Sequence, residues 1–372
     1  MKIAFVTGGG DSAGINSALA RAVLHGREKY QASFIGVRRA FEGLASDNIE
    51  EYLLPLDEWD AHRIFCAPST ILGSSRFAPF SEENKSWAPE KIQSNMKKLG
   101  IDAILATGGN DTIGSAMHLH DFGIPIIGIP KSIDNDISGT DWMLGASTAV
   151  DFAREAFRSS AVSAETHARV SVNEIMGRKA GWLAYLTGIS TKADIILVPE
   201  KAFSLQALVD RVKKLQDQNK SVNIVVSEGI NFNQEDPLFK KALSPESEDQ
   251  VLRAMLSEKP EYDEHGNIKL GGVGVIIQRI LAMGLKCSLS AIRQSNIGFS
   301  LRGLTPNAFD IILGQRFGHR AMELLMDKQS GIMVGIRGKE IVSVPMIEAL
   351  PQYTLDALSD EELDAFGVFF TP

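Results

Sequence analysis

A short apolar strand that runs directly into three glycines and then into an amphipathic helix opens this chain: Lys2–Thr7, Gly8-Gly9-Gly10, and a helix carrying Ile15, Ala18, Leu19, Ala22 and Val23 on one face. Strand, tight turn and helix in that order form the unit from which parallel sheets are built, because parallel neighbours need a crossover and the helix supplies it. The unit recurs. Strands are expected at Ser33–Val37, 102–107 and 124–129, with a helix over 89–99 between them. A helix with Val150, Ala153 and Phe157 facing inward then leads to strands at 169–175, 194–198 and 222–226, with a helix capped by Ser204 before the last of these. Segment 231–269 mixes proline, acidic residues and lysine and reads as a surface excursion with a turn at 263–266. A helix over 309–325, strands at Ile332–Arg337 and 341–344, and a solvated acidic helix face at 360–364 complete the pattern. The expected fold class is α/β: two Rossmann-like lobes, each with a central, mainly parallel sheet flanked by helices.

Composition narrows the function. The 372 residues carry a formal charge of −8, and no run of lysine or arginine forms a stripe, which argues against nucleic acid as the main partner. Hydrophobic content of 44% with 23% charged residues is that of a globular chain, and no segment approaches a membrane span. Cys66 and Cys287 match no zinc or disulfide spacing. A cytoplasmic location is expected, since the strand before Gly8 is too short for a signal peptide's apolar core.

The densest chemistry is Pro130-Lys131-Ser132-Ile133-Asp134-Asn135-Asp136, which follows an apolar strand that Pro130 is expected to end. A cation and two carboxylates at the carboxyl end of a strand stand where ligands bind in open α/β sheets. They suit phosphoryl transfer: a lysine to neutralise phosphate, one aspartate to accept a hydroxyl proton, another to hold magnesium. The bland alternative is a polar turn in which Asp134 or Asp136 caps a helix. Bare glycines at Gly8-Gly9-Gly10 let backbone amides approach phosphate, yet the loop lacks the Lys-Ser/Thr of a P-loop and fits a dinucleotide fingerprint poorly. With Arg38 and Arg39 after the second strand, an NADP oxidoreductase competes at this point. Thr107-Gly108-Gly109-Asn110-Asp111-Thr112 repeats the arrangement, and two glycine loops on one sheet edge beside Lys131 favour a phosphate cradle over two unrelated turns. Arg76, in Leu72-Gly73-Ser74-Ser75-Arg76, suits that cradle or a surface ion pair.

Taken in order, Gly9-Gly10-Asp11, Gly73-Ser74-Ser75-Arg76, Gly108-Gly109-Asn110-Asp111, Pro130 to Asp136, Met176-Gly177-Arg178, Ser227-Glu228-Gly229 and Ile297-Gly298-Phe299-Ser300-Leu301-Arg302 resemble the 6-phosphofructokinase family, from the start of the chain to about Leu325. The resemblance implies Asp134 as the base at the sugar's carbon 1 hydroxyl. Asp136 would assist with magnesium, and Asn110 stands where the family has a metal-holding aspartate. Gly10, Arg76, Asn110, Asp111 and Lys131 would face the donor phosphates; Ser132 and Arg178 would stabilise the phosphoryl group in flight. Met176, Gly177, Glu228, Phe299 and Arg302 match positions for the sugar phosphate, and Arg169 and Arg293 match arginines that a neighbouring subunit contributes. It also implies a donor lobe at 1–145 plus about 303–350, a sugar-phosphate lobe at about 146–302 plus 351–372, and a homodimer or homotetramer.

The departures from the family select a branch. ATP-using members read Gly-Gly-Asp-Gly at the second glycine loop and place glycine where Lys131 stands; Asp111 and Lys131 resemble the pyrophosphate-dependent branch. A carboxylate at Asp111 would crowd and repel the α-phosphate of a nucleotide, while Lys131 replaces charge lost with it. Ala20 and Leu24 occupy the places of effector-binding arginines, so the usual allosteric site is expected to be absent. Asn110 brings an amide oxygen without negative charge. Phe299 replaces a hydrogen-bonding histidine or tyrosine and either packs as core or alters the acceptor pocket. The expected activity is transfer from diphosphate to fructose 6-phosphate with magnesium. Alternatives are the same chemistry on another sugar phosphate such as sedoheptulose 7-phosphate, an ATP-dependent enzyme, or a weakly catalytic regulator. The oxidoreductase ranks last because it gives Lys131 to Asp136 no task.

Overall fold

The computed structural model describes residues 1–218, 221–259, 261–262 and 270–371. In chain order the elements are β1 (Lys2–Thr7), α1 (Ile15–Tyr30), β2 (Ser33–Val37), α2 (Ala40–Leu44), β3 (Leu53–Leu56), α3 (Glu58–Ile64), α4 (Ala88–Leu99), β4 (Ala103–Gly108), α5 (Asn110–Asp121), β5 (Ile126–Pro130) and α6 (Ala146–Thr166). They continue as β6 (Val170–Ile175), α7 (Trp182–Ser190), β7 (Ile195–Leu197), α8 (Leu205–Gln216), β8 (Val222–Ser227), α9 (Pro237–Leu243), α10 (Gln250–Ser257), α11 (Val273–Leu285) and β9 (Ile292–Asn296). The last are α12 (Ala308–Met326), β10 (Ile332–Arg337), β11 (Glu340–Pro345), α13 (Met346–Ala349) and α14 (Asp360–Ala365).

The chain divides into two compact units, Met1–Ala149 with Ser300–Tyr353, and Val150–Phe299 with Thr354–Pro372. The first holds a seven-stranded sheet in the order β11-β10-β5-β4-β1-β2-β3. Its five inner strands run parallel, and β3 and β11 close the two edges antiparallel. Alternate residues of β1 and β4 feed two separate cores: Ile3, Phe5 and Leu105 pack with Leu19 and Phe317 on one face, while Ala4, Val6 and Ile104 pack with Ile92 and Ile113 on the other. That double burial is what a helix-covered parallel sheet demands, and it explains near-continuous apolar strands. The second unit has a four-stranded, all-parallel sheet in the order β7-β8-β6-β9 over a core that includes Val172, Leu208, Ile224 and Ile277.

The α/β class holds, with three local differences from expectation. β5 begins at Ile126 and keeps Pro130 as its last residue, paired with Gly108, because the missing amide falls at the end of the ladder. The excursion expected over 231–269 contains α9 and α10, started by Asp236 and Asp249, whose side chains accept from the Leu238 and Leu252 amides; the turn expected at 263–266 lies outside the described residues. Neither Asp134 nor Asp136 caps a helix, since the next one, α6, begins at Ala146. Among the described residues no helix is long and apolar enough to cross a membrane.

Candidate active site

In the first unit the carboxyl ends of β1, β4 and β5 release three loops on one edge of the sheet. Parallel strands all end their chain direction there, so the loops converge. The Gly8 amide donates to the Thr107 carbonyl and the Gly9 amide to the Ser75 carbonyl, each at 2.9 Å, tying the first glycine loop to the other two small-residue loops. The second glycine loop is glycine for a packing reason. A β-carbon on Gly108 would lie 2.2 Å from the Thr112 β-carbon in the first turn of α5.

Lys131 lies beneath this edge with only 2% of its surface exposed. Its backbone amide donates to the Gly108 carbonyl at 3.0 Å, and its Nζ donates to the Gly10 carbonyl. Burial pushes the ammonium down to about 7; Arg302 and Arg76 push the same way, and Asp11 and Asp134 oppose them. Negative charge brought beside this buried lysine would favour its ammonium form.

The turn after Lys131 is clamped from within. Asn135 adopts a left-handed φ of 53°, and its side chain accepts from the Met143 amide at 2.8 Å and donates to the Asp141 carbonyl at 2.9 Å. The Asp134 amide donates to Ser132 Oγ at 3.1 Å, and the Asp134 carboxyl is buried. Asp136 is held by the Tyr353 amide on its carbonyl at 2.9 Å. Asn110 Nδ2 donates to Asp136 Oδ2 at 3.4 Å, while Asn110 Oδ1 is buried without a hydrogen-bond partner in the described residues. An orphaned amide oxygen beside a carboxylate is the oxygen set that a hard cation such as magnesium takes. Asp111 is exposed in the first turn of α5, and Arg76 is exposed as well.

In the second unit β6 and β8 end side by side, with Ile175 opposite Ser227, and deliver Met176-Gly177-Arg178 and Glu228 to one edge. Glu228 Oε1 accepts from the Gly177 and Arg178 amides at 3.4 and 3.3 Å, and Arg178 sits at a left-handed φ of 38°. Arg169 precedes β6, and Arg293 is the second residue of β9, paired with Ser171. Both stand at the opposite edge of the same sheet, about 20 Å of strand away from Met176. Phe299 is 83% exposed, so the expectation that it packs as core is overturned.

Arg302, expected with the sugar-phosphate positions, groups with the first unit and donates from Nη1 to the Asp11 carbonyl at 3.1 Å. Two residues that the sequence reading did not single out also shape this unit. Glu42 on α2 accepts from Ser75 Oγ at 2.7 Å, next to Arg76. Fully buried Asp310 on α12 accepts from the Gly145 amide at 3.0 Å and the Thr148 amide at 2.8 Å, fixing the start of α6. The Asn307-x-x-Asp310 spacing, a helix-start signature, was the available signal.

The sequence profile described as Phosphofructokinase matches residues 2–325. The chain belongs to the phosphofructokinase family. It is 36% identical over 371 residues to a protein of Amycolatopsis methanolica named pyrophosphate--fructose 6-phosphate 1-phosphotransferase, covering 100% of both chains. A protein of the same name from Thermoproteus tenax is 32% identical over 94% of this chain and 93% of its own. An ATP-dependent 6-phosphofructokinase of Corynebacterium efficiens is 32% identical over 94% of each. Among solved structures, the pyrophosphate-dependent phosphofructokinase of Nitrosospira multiformis superposes with a TM-score of 0.80 at 17% identity, covering 100% of this chain and 89% of that one, a likeness of fold.

Proposed function

We propose that the protein is a pyrophosphate-dependent phosphofructokinase, transferring a phosphoryl group reversibly from diphosphate to the carbon 1 hydroxyl of fructose 6-phosphate to give fructose 1,6-bisphosphate and phosphate. The observation that carries this reading is Lys131, a buried ammonium under the first glycine loop with its Nζ on the Gly10 carbonyl. Asp111 supports it, an exposed carboxylate at the start of α5 where the α-phosphate of a nucleotide would need room and positive potential.

In this reading the first unit takes the donor and the second the sugar phosphate. The Asp134 carboxylate accepts the carbon 1 hydroxyl proton as that oxygen bonds to the nearer phosphorus of diphosphate, and the bridging bond breaks to release phosphate. Lys131, Gly10 and Arg76 neutralise and orient the leaving group, and Ser132 and Arg178 stabilise the phosphoryl group in transit. Asn110 and Asp136 would hold magnesium, which would supply neutralisation of phosphate charge. Met176, Gly177 and Glu228 position the sugar. Arg169 and Arg293, facing the other edge of their sheet, fit a role in the site of a neighbouring subunit, in a cytoplasmic homodimer or homotetramer.

The exposed Phe299, which offers a phosphate no hydrogen bond, favours one second reading: the same chemistry on another sugar phosphate such as sedoheptulose 7-phosphate. A matrix of donors, diphosphate and ATP, against sugar-phosphate acceptors on purified protein tests both. Highest turnover with magnesium diphosphate and fructose 6-phosphate is expected, and turnover with ATP alone would overturn the proposal. Asp134→Ala should lower turnover by roughly two to four orders of magnitude with the melting temperature retained.

A further inference from the structure

Helices α1 and α12 of the first unit approach so closely that glycine is required between them. A β-carbon on Gly318 would lie 2.1 Å from the Ala18 carbonyl oxygen, and one on Gly314 would lie 2.7 Å from that of Gly14. Just beyond this contact the close approach brings two imidazoles together. The rings of His25 on α1 and His319 on α12 lie 3.9 Å apart between centroids, tilted by 32°. Glu323 follows His319 by four residues and so shares its helix face, with Oε1 at 3.4 Å from His319 Nε2.

His25 is only 6% exposed, and its Nε2 is buried with no hydrogen-bond partner among the described residues. A buried polar nitrogen left that way costs stability unless something takes its lone pair or its proton. One ligand atom each from His25, His319 and Glu323 lies within 4.8 Å of the other two. The second Glu323 oxygen accepts from Arg320 Nη1 at 3.2 Å, an outer contact of the kind that orients a ligating carboxylate. The His319 and Glu323 side chains are part-exposed, which gives an ion a way in and the side chains room to turn.

Two imidazole nitrogens and one carboxylate oxygen are the donors that zinc and its neighbours in the first transition row take, whereas magnesium prefers oxygen alone. Tetrahedral donors on zinc stand about 3.3 Å apart, so the three atoms must close by up to about 1.5 Å, a distance that side-chain rotation of His319 and Glu323 can cover. That turn would release Arg21, whose Nη2 lies 3.4 Å from His319 Nδ1. Burial first, then the charges of His319, Arg21 and Lys29, hold His25 below the ordinary imidazole value, which favours the neutral ring that ligates. Arg21 and Lys29 also repel a cation, so the site is weaker than the same donors would be in neutral surroundings. We propose that His25, His319 and Glu323 bind one divalent transition-metal ion of the zinc class, with solvent completing its coordination, and that the ion ties α1 to α12. The site is separate from Asn110 and Asp136 and does not depend on the diphosphate reading.

The test is zinc binding by calorimetry to the full-length protein, first treated with a chelator and then kept in excess magnesium without diphosphate, which would itself take up zinc. One zinc per chain is expected, with a rise in melting temperature because the ion binds the folded state. Glu323→Gln and His319→Gln, both at part-exposed positions, should each weaken zinc binding at least 10- to 100-fold, the loss typical when even an outer partner is removed. Their melting temperatures without zinc should stay close to that of the unmodified protein. His25→Phe, which fills much of the same space, should abolish binding; if it does not fold, the other two variants decide. Arg21→Gln, which removes a repelling charge, should tighten binding. Cobalt(II) in place of zinc should give visible absorption bands of a low-coordinate site in the unmodified protein and lose them in Glu323→Gln. Absence of stoichiometric zinc binding, or binding that Glu323→Gln and His319→Gln leave unchanged, an adventitious ion only, would overturn the proposal.

Discussion

The Arg178 carbonyl occupies the place of a Gly229 side chain: a β-carbon built on Gly229 would lie 1.4 Å from that oxygen. The Arg178 amide in turn donates to Glu228, the residue before Gly229. The two loops that end β6 and β8 are thus interlocked, and the approach of the Arg178 carbonyl to Gly229 is between backbone atoms, which no rotamer change can relieve.

Gly229→Ala should therefore act on the second unit's loop and leave the donor side alone. The expected result is a loss of stability of roughly 1–3 kcal/mol, as for overpacked positions, and a rise of about tenfold or more in the fructose 6-phosphate half-saturation. Diphosphate binding measured by calorimetry should stay within about twofold. An unchanged sugar half-saturation would show that Met176-Gly177-Arg178 is not held for substrate.

Proton uptake is expected when diphosphate binds. With Lys131 pushed down to about 7, the side chain of the free protein is mostly neutral at pH 8 and mostly charged at pH 6. A bound anion favours the charged form and raises that value, so binding takes up a proton above pH 7 and few below it. Calorimetry in buffers of different ionisation enthalpy, corrected for the ligand's own protons, should give an uptake that climbs toward about one per site as pH rises from 6 to 8. Lys131→Met should abolish the climb.

Much of this architecture was legible because burial on both faces leaves parallel strands as apolar runs, and β1 and β2 fall at their expected bounds. Ser204 caps α8 for the reason its side chain suggests, accepting from the Ala207 amide at 3.4 Å. Helices α9 and α10 were hidden in a polar segment whose Asp236 and Asp249 look like loop residues until their caps form. The site motifs name candidate residues but not where long side chains turn. Arg302 shows this: its position in the chain is readable, while its direction depends on contacts with Gly10 and Asp11, nearly three hundred residues earlier. Asn135, between two aspartates of apparent interest, proves to be the clamp that shapes their turn.

Activity should depend on assembly. Arg169 and Arg293 stand at the edge of their sheet opposite Met176 and Glu228, so a site that uses all four needs a second chain. Mixing inactive Asp134→Ala chains with inactive Arg169→Ala chains, after exchange of subunits, should restore part of the activity, because some mixed sites receive both intact groups. Hybrids that form, as seen by mass spectrometry, and yet remain inactive would rule out the shared arrangement.

The donor preference is the sharpest expectation, because Asp111 and Lys131 reach it by separate routes. Asp111 lies exposed in the first turn of α5, where the helix dipole would otherwise welcome a phosphate. Its carboxylate would oppose a ligand that extends past two phosphates, a like-charge contact that disfavours the longer donor. Lys131, fixed by the Gly10 and Gly108 carbonyls, would supply the opposite charge to the phosphate being transferred and its leaving group. Turnover with magnesium diphosphate should exceed that with ATP by orders of magnitude at matched concentrations. Asp111→Gly should raise ATP use without making ATP the better donor, since removing a repulsion creates no contact to adenine or ribose. Lys131→Ala should damage diphosphate turnover in either background. If Asp111→Gly leaves ATP use where it was, the repulsion argument fails even though Lys131 still favours diphosphate; if Lys131→Ala leaves diphosphate turnover intact, the buried cation has another purpose.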